Sequence, residues 1–306
     1  TWSTQNNQPT SELYRITTDN KWPMRVYAGQ QDNSTISVPV RSRGGLNPKQ
    51  HWLEVGGGES ADVAVSPTDP SIVYATTYSG IITRVDLETG ERRYIGAYPH
   101  YTEGTEQRNL KYRWQWNFPI MVSHHDPSVL YHTSNYVHRS TNEGDSWEII
   151  SPDLSRNIAA YQDIPGGPIQ HDATGVEVYS SIFSFQESPH DLMEMWAGSD
   201  DGLLHKTTDG GKNWMKIKLP AIPEEATINQ ILLSSQDRNM VFVVAYHYRY
   251  KDFTPYILKS TNGGDSWTMI TKGIGETHFV RAIAQDHKDP NLLFAGTEYG
   301  MYCSRD

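Results

Sequence analysis

Apolar positions along this chain come in short runs. Side chains alternate apolar and polar for a few residues, then Gly, Pro, Asn or Asp interrupts. ADVAVS (Ala61–Ser66), IVYATT (Ile72–Thr77), GIITRVD (Gly80–Asp86) and ERRYIG (Glu91–Gly96) follow one another in this way. No stretch carries the period of about 3.6 residues that marks an amphipathic helix. The pattern predicts short antiparallel strands joined by tight turns, an all-β chain.

The runs recur. SPTDPSIVYATT (Ser66–Thr77) has relatives at Ser123–Ser134, Glu187–Ser199, Ser234–Tyr246 and Asp286–Thr297, with a looser copy at Thr17–Gln30. Anchored on Asp19, Asp69, Asp126, Asp191, Asp237 and Asp289, the copies lie 50, 57, 65, 46 and 52 residues apart. Asp-Pro favours a tight turn because Pro presets φ and Asp bonds nearby backbone. Four strands per repeat of roughly 45–60 residues, set radially, describe a β-propeller of four-stranded antiparallel blades. About six repeats fill residues 1–306, with blade cores near 10–40, 60–96, 117–150, 177–217, 228–270 and 278–306.

A second string alternates with the first. STNEGDSWEII (Ser140–Ile150), TTDGGKNWMKI (Thr207–Ile217) and STNGGDSWTMI (Ser260–Ile270) share Ser/Thr-x-Asp/Asn-x-Gly-x-x-Trp. Val85–Ile95 is a weaker copy that keeps Asp86 and Gly90. A motif used this often builds scaffold rather than one catalytic centre. Its hydroxyl and Asp/Asn side chains (Ser140 and Asn142, Thr207 and Asp209, Ser260 and Asn262) hold turn backbone. Its glycines (Gly144, Gly211, Gly264) supply an unusual dihedral, and its tryptophans (Trp147, Trp214, Trp267) pack between blades.

These strings match the Asp-box, or bacterial neuraminidase repeat. With YAGQQDNST, VGGGESADVAVSPTDP, LKYRWQWNFPIMVSHHDP and RSTNEGDSWEIISPDLSRN, nearly the whole chain resembles a bacterial sortilin-like family often labelled glycosyl-hydrolase-like. The resemblance implies a propeller in a longer, exported protein: secreted, periplasmic or on the cell surface. It leaves activity open, because receptors and enzymes share these boxes. Thr1–Trp2 reads as the tail of one box and Ser304-Arg305-Asp306 as the head of another. A fragment whose partners include the remaining blades of a longer chain is the favoured expectation. A six-blade ring sharing its last box between the ends is the alternative.

Composition narrows the partners. A net charge of −10 without a block of Lys or Arg argues against nucleic acid and anionic membrane. No apolar run approaches the roughly 18 residues of a membrane span, so no membrane insertion is expected. The single Cys303 excludes an intrachain disulfide and reads as a small buried filler. No Cys-x-x-Cys or His-x-His spacing supports a metal, and the adjacent histidines of SHHDP read as turn residues. No cofactor is expected.

The long connections fall on the rim opposite the boxes, between blades and between second and third strands. Long loops on one face of a rigid scaffold point to a ligand face. Its aromatics are Tyr98, Tyr101, Tyr112, Trp114, Trp116, Tyr246, Tyr248 and Tyr250, beside carboxylates at Asp32, Glu59, Asp62, Asp172, Glu177, Asp200, Asp201 and Glu298. Aromatic platforms with carboxylates suit a glycan or a peptide or protein ligand. Ligand-binding candidates are Gln31, Asp32, Asn33, Glu59, Tyr78, Arg113, Trp114, Trp116, Asp200, Tyr246 and Glu298. YRWQWN (Tyr112–Asn117) alternates, so Arg113, Gln115 and Asn117 share one side, expected to line the central channel. The three glycines at 56–58 allow a ligand or a loop to approach closely. Catalysis by glycoside hydrolysis would need paired carboxylates, with Asp32, Glu59, Asp62, Asp172 and Glu177 as candidates. A binding or assembly module needs only the aromatic and polar rim, and is the reading preferred.

Overall fold

The computed structural model describes residues 11–102, 104–163, 176 and 178–305. Glu177 and Asp172 fall outside them, as do Thr1–Trp2 and Asp306. Six antiparallel sheets form the blades of a β-propeller, and no helix among the described residues exceeds the one turn at Pro48–His51. Blade 1 pairs Leu13–Thr18, Arg25–Gln30, Thr35–Pro39 and Leu53–Glu54 in chain order; blade 2 pairs Val63–Val65, Ile72–Thr77, Ile81–Asp86 and Arg92–Tyr94. Blade 3 holds Ile120–Val122, Leu130–Thr133, Val137–Ser140 and Glu148–Ile149; blade 4 holds Ile182–Glu187, Met195–Ser199, Leu204–Thr207 and Met215–Ile217. Blade 5 holds Thr227–Leu233, Val241–His247, Asp252–Ser260 and Thr268–Met269.

Blade 6 differs: among the described residues it has three strands, Val280–Gln285, Leu293–Thr297 and Gly300–Ser304. Among the described residues no fourth strand or further blade covers its last strand. Cys303 on that strand is exposed, which corrects the expectation of a buried filler. Its apolar run reflects strand periodicity, and among the described residues no side chain covers Cys303.

Each seam between consecutive blades closes over an apolar cluster. Tyr27 and Val63 lie between blades 1 and 2, Tyr74 and Phe118 between 2 and 3, and Tyr131 and Phe185 between 3 and 4. Trp196 and Ile228 fill the next seam, Phe242 and Ile283 the last. The innermost strands meet near the centre at Arg15, which donates to the Phe183 carbonyl of blade 4 and stacks 4.8 Å above that ring.

The Asp-box explains how a turn locks a seam. Ser140 Oγ accepts from the Gly144 amide at 2.8 Å and donates to Asn142 Oδ1 at 2.9 Å, while Asn142 Oδ1 accepts from the Ser146 amide. Thr207, Asp209 and Gly211 repeat the scheme, as do Ser260, Asn262 and Gly264. Hydrogen bonds from Asn213 hold the Asp209 carboxyl down at about 2, so it works as an ionised anchor and not as an acid. Gly144, Gly211 and Gly264 have φ of +90°, +93° and +97°. A Cβ at Gly144 would stand 2.5 Å from Ile95 of the preceding blade. The box tryptophans reach the same way: Trp147 Nε1 donates to the Ile95 carbonyl and Trp214 Nε1 to that of Ile150. In the weaker copy, Asp86 occupies the position of the box serine by strand register, and its Oδ1 caps the amides of Glu88 and Thr89.

One seam carries an unusual pair. His132 and His138 face each other across their strands in blade 3 and stack 4.4 Å apart, both fully buried. His138 Nε2 lies 2.8 Å from Ser134 Oγ, but neither nitrogen of His132 has a hydrogen-bond partner. Burial pushes both imidazoles below their usual range, His138 to about 3. Blade 5 fills the same register with Val243 and Leu258.

Two predictions follow from these seams. Gly144→Ala should cost about 3 kcal/mol because strained backbone and a clash with Ile95 combine, whereas Gly90→Ala should cost about 1 kcal/mol. Gly90 also has positive φ, at +76°, but a Cβ there would meet no atom within 4 Å; urea titration measures both. The depressed histidines contribute their full stability above the unfolded value, about pH 6.5, and lose it as pH falls toward 3. Each neutral imidazole then costs about 1.4 kcal/mol per pH unit. The advantage of a His132→Val/His138→Leu double variant over the parent should therefore grow as pH drops from 7 to 5; a constant difference contradicts the assignment.

Candidate functional site

The rim opposite the boxes gathers its chemistry on blades 1 to 3. The turn after the second strand of blade 1 places Asp32 at a φ of 54°. The Asp32 amide donates to Glu59 Oε2 at 2.9 Å. Gln31 Nε2 donates to the same oxygen at 2.9 Å and to Asp32 Oδ1 at 3.0 Å. The far end of Gln31 is held by the Tyr14 hydroxyl. One amide nitrogen thus sets the spacing of two carboxylates, each a single hydrogen bond away. Asn33 is exposed beside them, and its amide donates to the Gln30 carbonyl.

Glu59 is delivered by the glycine run. A Cβ on Gly56, Gly57 or Gly58 would lie 2.4 to 2.6 Å from Thr83, Thr76 or Thr77 of blade 2. The glycines therefore serve loop packing against blade 2. Next to Glu59, the buried Ser60 hydroxyl accepts from the Tyr78 amide, and its carbonyl accepts from Asn117 Nδ2. Tyr78 stacks on Trp116 with centroids 5.1 Å apart and planes 16° apart, both half-buried. Ser60 thus joins a carboxylate bracket to an aromatic platform.

Tyr112–Asn117 is not the expected innermost strand but an irregular connection leading to the first strand of blade 3 at Ile120, and its polar side chains do not line a channel. Arg113 Nε donates to the Ser180 carbonyl, and its Nη2 to Asp153 Oδ2 at 2.6 Å and Ser155 Oγ at 3.0 Å. Gln115 Nε2 reaches Val178 O and Asp200 Oδ2. All three polar side chains are buried straps between blades. Trp114 on the other side is 1% exposed and belongs to the apolar cluster of blades 2 and 3, so it offers no face to a ligand.

Other candidates separate. Asp62 is buried at the centre, bonded by the amides of Val63 and Ile120, 3.8 Å from Arg15, and burial raises its carboxyl. Asp200 and Asp201 are buried between blades 3, 4 and 5. Burial, reinforced by Asp201, pushes Asp200 up to about 7, while the amide and hydroxyl of Ser181 hold it in place. Tyr246 is buried, and its ring and those of Tyr248 and Phe279 surround the Arg281 guanidinium at 4.7–5.1 Å. Arg281 pairs with the exposed Glu298 at 2.5 Å. Among the described residues, no cluster of His, Cys, Asp and Glu is arranged to hold a metal. The bracket-forming role of Tyr14 went unread in the sequence; only its position one strand from Gln31 pointed to it.

Known proteins resemble this chain at two levels. A family model described as Sortilin-Vps10, sortilin and neurotensin receptor 3, matches residues 135–302, more than half of the chain. No curated protein sequence matches. Among solved structures, a GH74 enzyme of Niastella koreensis aligns at 14% identity and a TM-score of 0.63, over 95% of this chain and 43% of that one. The extracellular domain of a putative hybrid two-component system from B. thetaiotaomicron aligns at 12% identity and 0.60, over 99% of this chain and 35% of that one. The chain thus spans less than half the length of either. At such identities the likeness is one of fold.

The strap assignment is testable. Arg113→Met should cost about 3 kcal/mol in urea titration, because it leaves the partly buried Asp153 without its cation. A change below 0.5 kcal/mol, on the order of surface substitutions, would return Arg113 to the list of ligand contacts.

Proposed function

The chain belongs to the Sortilin-Vps10 family, and on that premise we propose that it is a ligand-binding or assembly module of an exported bacterial protein, holding a glycan or a protein on the rim opposite the Asp-boxes. The observation that carries this reading is the pairing of the Gln31–Asp32–Glu59 bracket with the Tyr78–Trp116 platform. Rings cover the C–H faces of sugars or apolar side chains, and the bracket takes hydroxyls or amines. The neighbour from B. thetaiotaomicron, itself an extracellular domain, agrees with export.

Glycoside hydrolysis is the second reading, favoured by the two carboxylates that share Gln31. It is weaker because Asp32 and Glu59 stand side by side in one wall, joined by that amide. Hydrolysis places its acid and its second carboxylate on either side of the scissile bond. Asp62 and Asp200, the buried alternatives, bond to other groups: Asp62 to the Val63 and Ile120 amides, Asp200 to Gln115 and Ser181.

Binding of the chain to arrayed polysaccharides and a random peptide library should yield a ligand whose affinity falls about tenfold or more in Trp116→Ala and Glu59→Gln, roughly the loss of 1.4 kcal/mol. No new reducing ends should appear. Release of reducing ends by the parent and its loss in Glu59→Gln would replace binding by hydrolysis.

A further inference from the structure

Away from this bracket, a groove of about 470 Å³ runs along the periphery of blade 4, within the usual range of about 300–1,000 Å³ for ligand sites. One wall is the stretch Lys216, Ile217, Lys218 and Leu219. Lys216 and Ile217 belong to the strand Met215–Ile217, and Lys218 and Leu219 follow it directly. Met215–Ile217 is the last strand of its sheet, and its outer edge has no strand partner among the described residues.

The opposite wall is aliphatic. Leu203 comes from the second-to-third loop of blade 4, and Ile222 and Pro223 from the connector to blade 5. No aromatic ring lines the groove, so a sugar finds no flat face there. The charge is local and opposite to that of the chain. Arg156 from the blade 3–4 connector joins Lys216 and Lys218, against one carboxylate, Glu224, in a protein of net charge −10. Arg156 is held in place by the Asp201 carbonyl at 2.7 Å. Lys216 and Lys218 are exposed and make no ion pair among the described residues.

We propose that this groove receives an extended acidic peptide segment of a partner protein, laid as an additional strand along the free edge of Met215–Ile217. Main-chain hydrogen bonds to that edge supply the docking, as in strand addition elsewhere. Acidic side chains of the segment meet Lys216, Lys218 and Arg156, and the alternate aliphatic ones fall on Leu203, Leu219 and Ile222. The site is independent of the Glu59 bracket and of what that bracket binds.

Fluorescence anisotropy with a short labelled peptide of alternating Glu and Val tests this, with a Lys/Val peptide and polygalacturonate as comparisons. The acidic peptide should bind saturably and weaken at least tenfold in the Lys216→Glu/Lys218→Glu variant. Both substitutions are on exposed side chains, and an unchanged thermal melt verifies folding. Glu59→Gln should bind as the parent does. Hydrogen exchange of the 216–219 amides should slow when the peptide is present. Equal binding by the charge-reversed variant, equal binding of the Lys/Val peptide, competition by polygalacturonate at matched charge, or unchanged exchange at 216–219 would each overturn the proposal.

Discussion

The hydrogen bond from the Gly144 amide to Ser140 Oγ, with its counterparts at Thr207 and Ser260, is the constraint on which the architecture rests. It closes a turn in which the glycine takes a backbone conformation that a side chain would resist. The bare glycine then lets the turn approach the neighbouring blade; three residues later Trp147 and Trp214 donate to the residue after that blade's last strand, and Trp267 packs edge-on against Trp196. Local turn chemistry thereby becomes a tertiary seam. The Ser or Thr hydroxyls and the Asp or Asn side chains of the boxes are engaged with the turns they close.

Holding the turns on one rim leaves the other rim to the long connections. There the polar side chains divide into two populations. Arg113, Gln115 and Asn117 are buried and spend their donors on neighbouring loops. Gln31, Asp32 and Glu59 lie at the surface, where two carboxylates are kept in position by a single amide. The first population makes the rim rigid, and the second is the part of it left open to a ligand in the binding mode proposed above. The buried Asp200, with its raised carboxyl, belongs to the rigid set.

Much of this was legible in the sequence. Repeat spacing and box residues gave the blades and their order, because turns depend on local residue types. The alternation in Tyr112–Asn117 predicts a strand with a polar and an aromatic side, but the segment is an irregular connection. Arg113 and Gln115 strap toward Ser180 and Val178, Asn117 turns to the Ser60 carbonyl, and Trp114 is core. Periodicity reports a difference in direction, and the destination depends on residues tens of positions away. The peripheral groove had no sequence signal for the same reason: it takes Arg156, Leu203, Lys216 and Ile222 from three separate connections and one strand.

The tryptophans of the boxes all reach backward. Trp147 bonds the blade before it and Trp214 the blade before that of its own. A seam of this kind has a donor side and an acceptor side, so the array is polar in the sense that a filament is polar. Units can be added or removed whole, since an inserted unit presents a donor to its predecessor's carbonyl and an acceptor to its successor's tryptophan. A reversed unit would fit nowhere. The divergence of the Val85–Ile95 turn fits this economy: a link can lose its tryptophan and persist while the units on either side still grip.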